Sequence, residues 1–302
     1  MTHVLVLAGG PDAEHDVSLR SGLAIADALR ARGYTVTEHV IPHTATINLA
    51  SLPGDVIWPA LHGPWGEGGV LQHLLEADGR PFVGCDSAAA ACCMDKDRIK
   101  AAATALRLDT PQWCVSTDVS DDLLDGEVVV KPVDDGSSIH LHMCDSIDAT
   151  RTAVTAVLQG RDRVMVERRV RGRELTVAWL IDRCLPLVEI VPATGVYDYQ
   201  AKYGRDDTAY VVDPELPADV VDRCHVATER ITAECGVRDL ARVDFLLDDA
   251  GTPWLLEVNT MPGFTASSLF PMAAAATGRS MTDVCAALIS HAVARSLDSA
   301  QA

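Results

Sequence analysis

The segment from Arg242 to Gly263 admits few folds: Arg-Val-Asp-Phe-Leu-Leu-Asp-Asp-Ala-Gly-Thr-Pro-Trp-Leu-Leu-Glu-Val-Asn-Thr-Met-Pro-Gly. Two apolar runs flank an Asp-Asp-Ala-Gly turn, which is the pattern of a β-hairpin. Residues two apart in a strand share a face, so Arg242 points with Asp244 and Glu257 with Asn259. A turn centred on Ala250-Gly251 sets Asp244 opposite Glu257 and Arg242 opposite Asn259; a bulge at Gly251 would shift that register by one residue. The polar outer face of an ordinary hairpin accounts for a Lys or a Thr. It does not call for two carboxylates, an amide and a guanidinium on one patch. Two carboxylates and an amide oxygen suit a hard cation such as Mg2+, with phosphate oxygens and water completing its shell. Asp244, Glu257 and Asn259 are therefore the candidate metal ligands.

The rest of the chain must supply what such a cation would serve. At 302 residues it is long enough for two or three units with cores of their own. No apolar run reaches membrane-span length, so no membrane association is expected. The opening Met-Thr-His-Val-Leu-Val-Leu-Ala lacks a basic region and meets Gly9-Gly10 too soon for a signal peptide. It reads as a first strand, and the expected location is cytoplasmic. A formal net charge of −18 argues against nucleic-acid partners, while leaving room for a local cationic pocket that takes an anion. The nine cysteines are scattered and contain no CxxC pair. They read as small apolar residues in a reducing compartment.

Residues 1–90 read as a small α/β unit. A strand at Val4–Ala8 leads through Gly9-Gly10 to a helix capped by Asp16 or Ser18 and ending near Gly33. A buried strand around Asp55–Leu61 delivers His62-Gly63-Pro64-Trp65-Gly66-Glu67 at its C-terminal end, where open α/β sheets bind ligands. Glu14 and His62 could face one crevice, although on sequence chemistry alone Glu14-His15-Asp16 reads slightly better as an acidic helix start favouring the dipole.

Residues 91–180 form a central unit. It opens on the Met94-Asp95-Lys96 helix and continues with a buried strand ending in Lys131. The Asp134-Asp135-Gly136-Ser137-Ser138 turn that follows is either a phosphate-binding nest or a plain solvated turn. A helix over 147–159, capped by Ser146, leads to strands at Val164–Glu167 and Leu175–Ile181. An adenine could slot between these strands, with Glu167 at its edge and Glu174 at the ribose. Residues 181–302 form the last unit. It holds a polar aromatic loop, Tyr197–Gly204, that reads as a lid or as a surface loop, then a helix over 217–235, the hairpin and a final helix over 281–296.

Taken in order, these motifs resemble the D-alanine–D-alanine ligases of the ATP-grasp superfamily, and the resemblance runs from Val4 to about Leu288. It rests on Ala8-Gly9-Gly10 with Glu14 and Val17-Ser18-Leu19, His62-Gly63 with Gly66-Glu67, Met94-Asp95-Lys96, and Val130-Lys131-Pro132 with Gly136-Ser137-Ser138. It continues with Gly172-Arg173-Glu174, Tyr197-Asp198-Tyr199 with Ala201-Lys202-Tyr203, Arg242-Val243-Asp244-Phe245, and Glu257 through Thr265. The fold so implied is α/β (α+β), a three-domain ATP-grasp architecture with an N-terminal open parallel α/β domain.

The activity implied is ATP-driven joining of two D-alanine molecules through a D-alanyl phosphate, for the peptidoglycan precursor. Asp244, Glu257 and Asn259 would hold two Mg2+ ions, with Mn2+ as a substitute. Lys96 and Lys131 would meet the phosphates, Ser137 and Ser138 would close over them, and Glu167 and Glu174 would bind adenine and ribose. Glu14 would hold the first D-alanine's ammonium, and His62 would sit near the substrates. Arg242 and the backbone at Gly263 would stabilise the oxyanion, Ser268 would take the acceptor carboxylate, and Lys202 and Tyr203 would come from the lid. A homodimer is expected by the same resemblance. Three positions depart from the family pattern: Gly68, where Asp is usual; His140, where Gly is usual; and Ser267, often His. The alternatives are a ligase using D-lactate or D-serine as acceptor, and a low-activity ATP-binding relative.

Overall fold

The computed structural model describes residues 2–119, 122–136, 140–193 and 207–299. The N-terminal segment alternates strand and helix: β1 (His3–Gly9), α1 (His15–Ala31), β2 (Thr35–Ile41), β3 (Val56–Pro59), α2 (Gly63–Glu67), α3 (Val70–Asp78) and α4 (Ser87–Met94). Its strands form a parallel sheet in the order β2-β1-β3. Strands of a parallel sheet are covered on both faces and are apolar throughout, and Val4 to Leu7 are all buried. At the C-terminal edge of β1, Gly9 (φ +87°) makes the turn; a Cβ there would lie 2.6 Å from the Ile41 carbonyl oxygen.

The expected cap of α1 is corrected. Neither Asp16 nor Ser18 caps it, because the helix already starts at His15 with Glu14 in the capping position. The Ser18 hydroxyl instead accepts from the Gly9 N–H at 2.8 Å and donates to the Ala60 carbonyl at 2.5 Å. It thereby ties α1 to the ends of β1 and β3.

The central segment holds α5 (Lys96–Ala105), β4 (Trp113–Ser116), β5 (Val128–Pro132), β6 (His142–Cys144), α6 (Ile147–Leu158) and β7 (Val164–Arg168). Asp95 caps α5 through the Asp97 and Arg98 N–H groups, and Ser146 caps α6 through that of Ala149. The strands form an antiparallel sheet, β4-β7-β5-β6, packed on α6.

The last segment contributes β8 (Arg173–Leu180), β9 (Arg183–Cys184), β10 (Val188–Val191), β11 (Ala209–Val212), α7 (Ala218–Glu234), β12 (Leu240–Leu247), β13 (Pro253–Asn259), α8 (Leu269–Ala276) and α9 (Met281–Ser299). Its antiparallel sheet runs β11-β10-β8-β12-β13, with β9 on β8. β8 therefore hydrogen-bonds with strands that lie beyond residue 181 in the chain. One face of this sheet packs on α5 and α7, sharing a core that includes Ile99, Phe245 and Ile231.

The C-terminal segment also packs against the N-terminal sheet. Val4, Ile25 and Trp58 share one core with Phe264, Phe270 and Leu288, and the Trp58 and Phe264 rings meet edge-on at 5.4 Å. That contact places the chain leaving β13 against the end of β3. No helix of the described residues is long and apolar enough to cross a membrane.

Candidate active site

The hairpin has the pairing its alternation predicts. Asp244 lies opposite Glu257 and Arg242 opposite Asn259. The route to that register differs from a turn centred on Ala250-Gly251. Leu247 pairs with Pro253 around a five-residue loop, and a bulge between Asp244 and Phe245 then restores the offset. Asp248 organises the loop, accepting from the Thr252 N–H and the Trp254 indole, both at 2.8 Å.

Arg242 donates to both Asp244 oxygens, Nε at 2.8 Å and Nη2 at 2.9 Å, and the Thr176 hydroxyl donates to Asp244 Oδ1 at 2.6 Å. The carboxylate is thus fixed in direction. Across the ladder, Lys96 Nζ lies 3.4 Å from Glu257 Oε2 and donates to the Asp135 carbonyl at 2.6 Å. Asn259 Oδ1 accepts from the Met261 N–H at 2.9 Å, holding the start of the Met-Pro-Gly exit.

Above this patch is a cleft of about 340 Å³. Its lining gathers Glu14, His62, Lys96, Arg242, Glu257, Asn259, Gly263 and Ser268 from residues scattered over most of the chain. Lys131, Glu167, Glu174 and Asp244 stand outside the lining. Ser137, Ser138, Lys202 and Tyr203 lie outside the described residues.

Glu14, from the α1 start, reaches the central segment: a Cβ on Gly136 would stand 3.3 Å from both its carboxylate oxygens. A Cβ at 136 would press on the Glu14 carboxylate, which would have to give by a few tenths of an ångström. His62 is buried; its Nε2 lies 3.4 Å from the Ser21 hydroxyl, which also accepts from the Phe264 N–H at 3.3 Å. Burial, with a smaller push from Arg242, drives the His62 imidazole down to about 4, so it is neutral at neutral pH. Ser268, leading into α8, accepts from the Thr265 N–H at 3.0 Å. A Cβ on Gly263 would meet the Ser268 hydroxyl at 2.9 Å, so the glycine leaves backbone and hydroxyl side by side.

Two buried charged residues at or beside the cleft were given no role from the sequence. Lys100 is fully buried, with Nζ 2.5 Å from Glu167 Oε2, while Lys131 Nζ donates to Glu167 Oε1 at 2.9 Å. Burial would raise the Glu167 carboxyl, yet Lys131 and Lys100 outweigh it and hold the group below its usual range. Burial brings Lys100 down to about 8. The signal was present: Lys96 and Lys100 are four apart, on one face of α5.

The second is Glu67, which lines the cleft. It accepts from the Gly63 N–H at 3.0 Å, and burial, helped by the nearby Glu14 charge, pushes its carboxyl up to about 8. Its motif was visible, but its neutral state comes chiefly from burial, with the charge of sequence-distant Glu14 adding to it.

The departures have local reasons. A Cβ on Gly68 would stand 2.2 Å from the Pro64 carbonyl oxygen, so this backbone excludes aspartate there. His140 sits at φ +56°, the left-handed region where glycine is easiest. Ser267 is exposed at the cleft rim, its hydroxyl 3.3 Å from that of Thr265.

Among the described residues, no three acidic, histidine or cysteine side chains group as a metal site. The candidate set instead pairs two carboxylates with the Asn259 amide. All three donors are hard oxygens, and Arg242 and Lys96 supply the positive charge that the carboxylates already face. That chemistry fits Mg2+.

A family model described as D-ala D-ala ligase C-terminus matches residues 118–290. A D-alanine--D-alanine ligase of Anaeromyxobacter sp. (strain Fw109-5) is 39% identical over 296 residues, covering 96% of each chain. One from Magnetococcus marinus (strain ATCC BAA-1437 / JCM 17883 / MC-1) is 42% identical, covering 91% of this chain and 93% of its own. Among solved structures, the D-alanine--D-alanine ligase from Bacillus anthracis complexed with ATP matches with a TM-score of 0.87 at 26% identity. That match covers 99% of this chain and 100% of the other.

Proposed function

The chain belongs to the D-alanine–D-alanine ligase family, and from that premise we propose that it joins two D-alanine molecules into D-alanyl-D-alanine, driven by ATP cleavage, for the peptidoglycan precursor. The observation that carries this reading is one cleft lined by an amine-binding carboxylate, Glu14, together with Lys96, Arg242, Glu257 and Asn259.

A carboxylate is a poor electrophile, so the first D-alanine must be activated. Its carboxylate oxygen attacks the γ-phosphorus of ATP, ADP leaves, and an acyl phosphate results. The neutral amine of the second D-alanine attacks the acyl carbon, and phosphate leaves with the oxygen it took. Glu14 holds the first ammonium. Lys96 and Lys131 neutralise phosphate charge, and Ser137 and Ser138 close over it. Glu167 and Glu174 bind adenine and ribose, with Lys202 and Tyr203 completing the site. Arg242 and the Gly263 N–H stabilise the tetrahedral oxyanion, a contribution of about 3 kcal/mol per donor. Ser268 takes the acceptor carboxylate. His62, being neutral, adds no competing charge for that carboxylate.

Asp244, Glu257 and Asn259 would hold Mg2+, as two ions with Mn2+ as substitute, which when bound neutralises the transferring phosphate oxygens. Homodimer formation and a cytoplasmic location rest on the family resemblance. The test of the activity is phosphate release from Mg-ATP on adding D-alanine and not on adding L-alanine; no D-alanine-dependent release would sink it.

A further inference from the structure

Arg161 lies in the turn between α6 and β7 and is not among the residues lining the cleft. It reaches back to the turn that follows β5, where its Nη2 donates to Asp135 Oδ2 at 2.5 Å. Asp135 does line the cleft, and it is engaged at two further atoms. Its Oδ1 accepts from the Gly136 N–H at 3.1 Å, and its carbonyl accepts from Lys96 Nζ at 2.6 Å. The two side chains of the pair differ in burial: that of Asp135 is 7% exposed and that of Arg161 38%. Burying a carboxylate costs free energy unless a cation or donors meet it. This pair therefore does more than an ion pair between two exposed side chains.

The Lys96 backbone is held by other contacts. Its N–H donates to the Val133 carbonyl at 3.0 Å, and Asp95, which caps α5, pairs with Arg163 at 2.8 Å. What depends on Asp135 is the direction of the Lys96 ammonium, which is shared between the Asp135 carbonyl and Glu257 Oε2 at 3.4 Å. The carbonyl and the carboxylate of Asp135 are a few bonds apart on one residue. A carboxylate without its cation holds an ammonium more tightly than a carbonyl does, because both partners are charged.

We propose that Arg161 is a positioning residue for the nucleotide phosphates: by occupying the Asp135 carboxylate, it keeps that carboxylate from capturing Lys96. The proposal deepens the ligase reading and rests on Lys96 as a phosphate ligand. With Arg161 in place, Lys96 exchanges a neutral carbonyl for a phosphate oxygen. Without Arg161, the phosphate must compete with a carboxylate for the same ammonium, and it also meets that carboxylate's repulsion.

The experiment compares the full chain with Arg161→Gln, Arg161→Lys and the double variant Arg161→Gln/Asp135→Asn. It measures calorimetric binding of the magnesium complex of adenylyl imidodiphosphate, and the KM for ATP in D-alanine-dependent turnover. Arg161→Gln should weaken binding and raise the KM at least fivefold, with kcat within twofold and the urea midpoint unchanged. Arg161→Lys keeps a cation on the carboxylate and should stay within twofold of the parent. Adding Asp135→Asn removes the competing charge and should bring affinity back to within threefold of the parent. A loss of packing at residue 161 would not be repaired by that second change. Parental affinity in Arg161→Gln, or a double variant as weak as the single one, overturns the proposal. Should Arg161→Gln fail to fold, Arg161→Lys and the double variant decide, and weak binding in either overturns it. The titration needs no ligase activity. Failure of the ligase reading would show separately, as a parent chain that binds the analogue without D-alanine-dependent turnover.

Discussion

Asp244 and Glu257 face each other across the β12–β13 ladder, one clasped by Arg242 at 2.8 Å and the other 3.4 Å from Lys96. Two carboxylates in register need positive charge between or beside them, and the hairpin is arranged to receive it. Removing the Glu257 charge while keeping its shape should therefore spare the fold. Glu257→Gln is expected to unfold within about 1 kcal/mol of the parent, as surface-like changes do, and to lose at least a hundredfold in turnover. Near-normal turnover would refute the metal assignment.

Glu67 gives the cleft a pH signature. Its folded carboxyl holds the proton up to about 8, against an ordinary value of 4.5. The folded chain therefore binds a proton that the unfolded chain loses between those values. The stability this contributes is complete below pH 4.5 and falls away as pH rises towards 8. Glu67→Gln, neutral at every pH, should lose less stability between pH 5 and pH 8 than the parent does. Equal losses in denaturant unfolding at the two pH values would contradict the assignment.

Lys100 is one of two cations on a buried carboxylate. Lys100→Met leaves Glu167 with Lys131 alone and should cost about 3 kcal/mol in denaturant unfolding. Because Glu167 and Lys131 would lose their orientation, the KM for ATP should rise more than kcat falls. A variant of parental stability and parental KM would show that the triad is inert.

His140 already occupies the left-handed backbone region that a glycine would favour. His140→Gly therefore relieves strain of about 1 kcal/mol without creating a new loop shape. Turnover should stay within about twofold of the parent. A large gain would mean that the imidazole, rather than the backbone, has been limiting the site.

Much of this site was legible along the chain, and the limits are physical. Alternation in the hairpin put Asp244 opposite Glu257, but the loop is centred on Ala250 and a bulge corrects the register. Local propensity does not report such compensations. Ser18 read as a helix cap because it precedes an apolar run; long-range pairing with Gly9 and Ala60 engaged it instead. The Lys100–Glu167–Lys131 cluster joins α5, β7 and β5, and no spacing rule links residues so far apart. Gly68 looked like a lost carboxylate until the Pro64 carbonyl was seen to fill the space. Periodicity located strands and helices well, whereas charge pairing between segments emerged only from their packing.

The central claim is that a D-alanine carboxylate is activated by phosphoryl transfer before the amine attacks. Its most direct test uses D-alanine carrying 18O in the carboxylate, Mg-ATP and mass analysis of both products. One 18O should appear in each phosphate released, alongside a dipeptide one water lighter than two alanines. Dipeptide formed with unlabelled phosphate, or no dipeptide at all, would contradict the account.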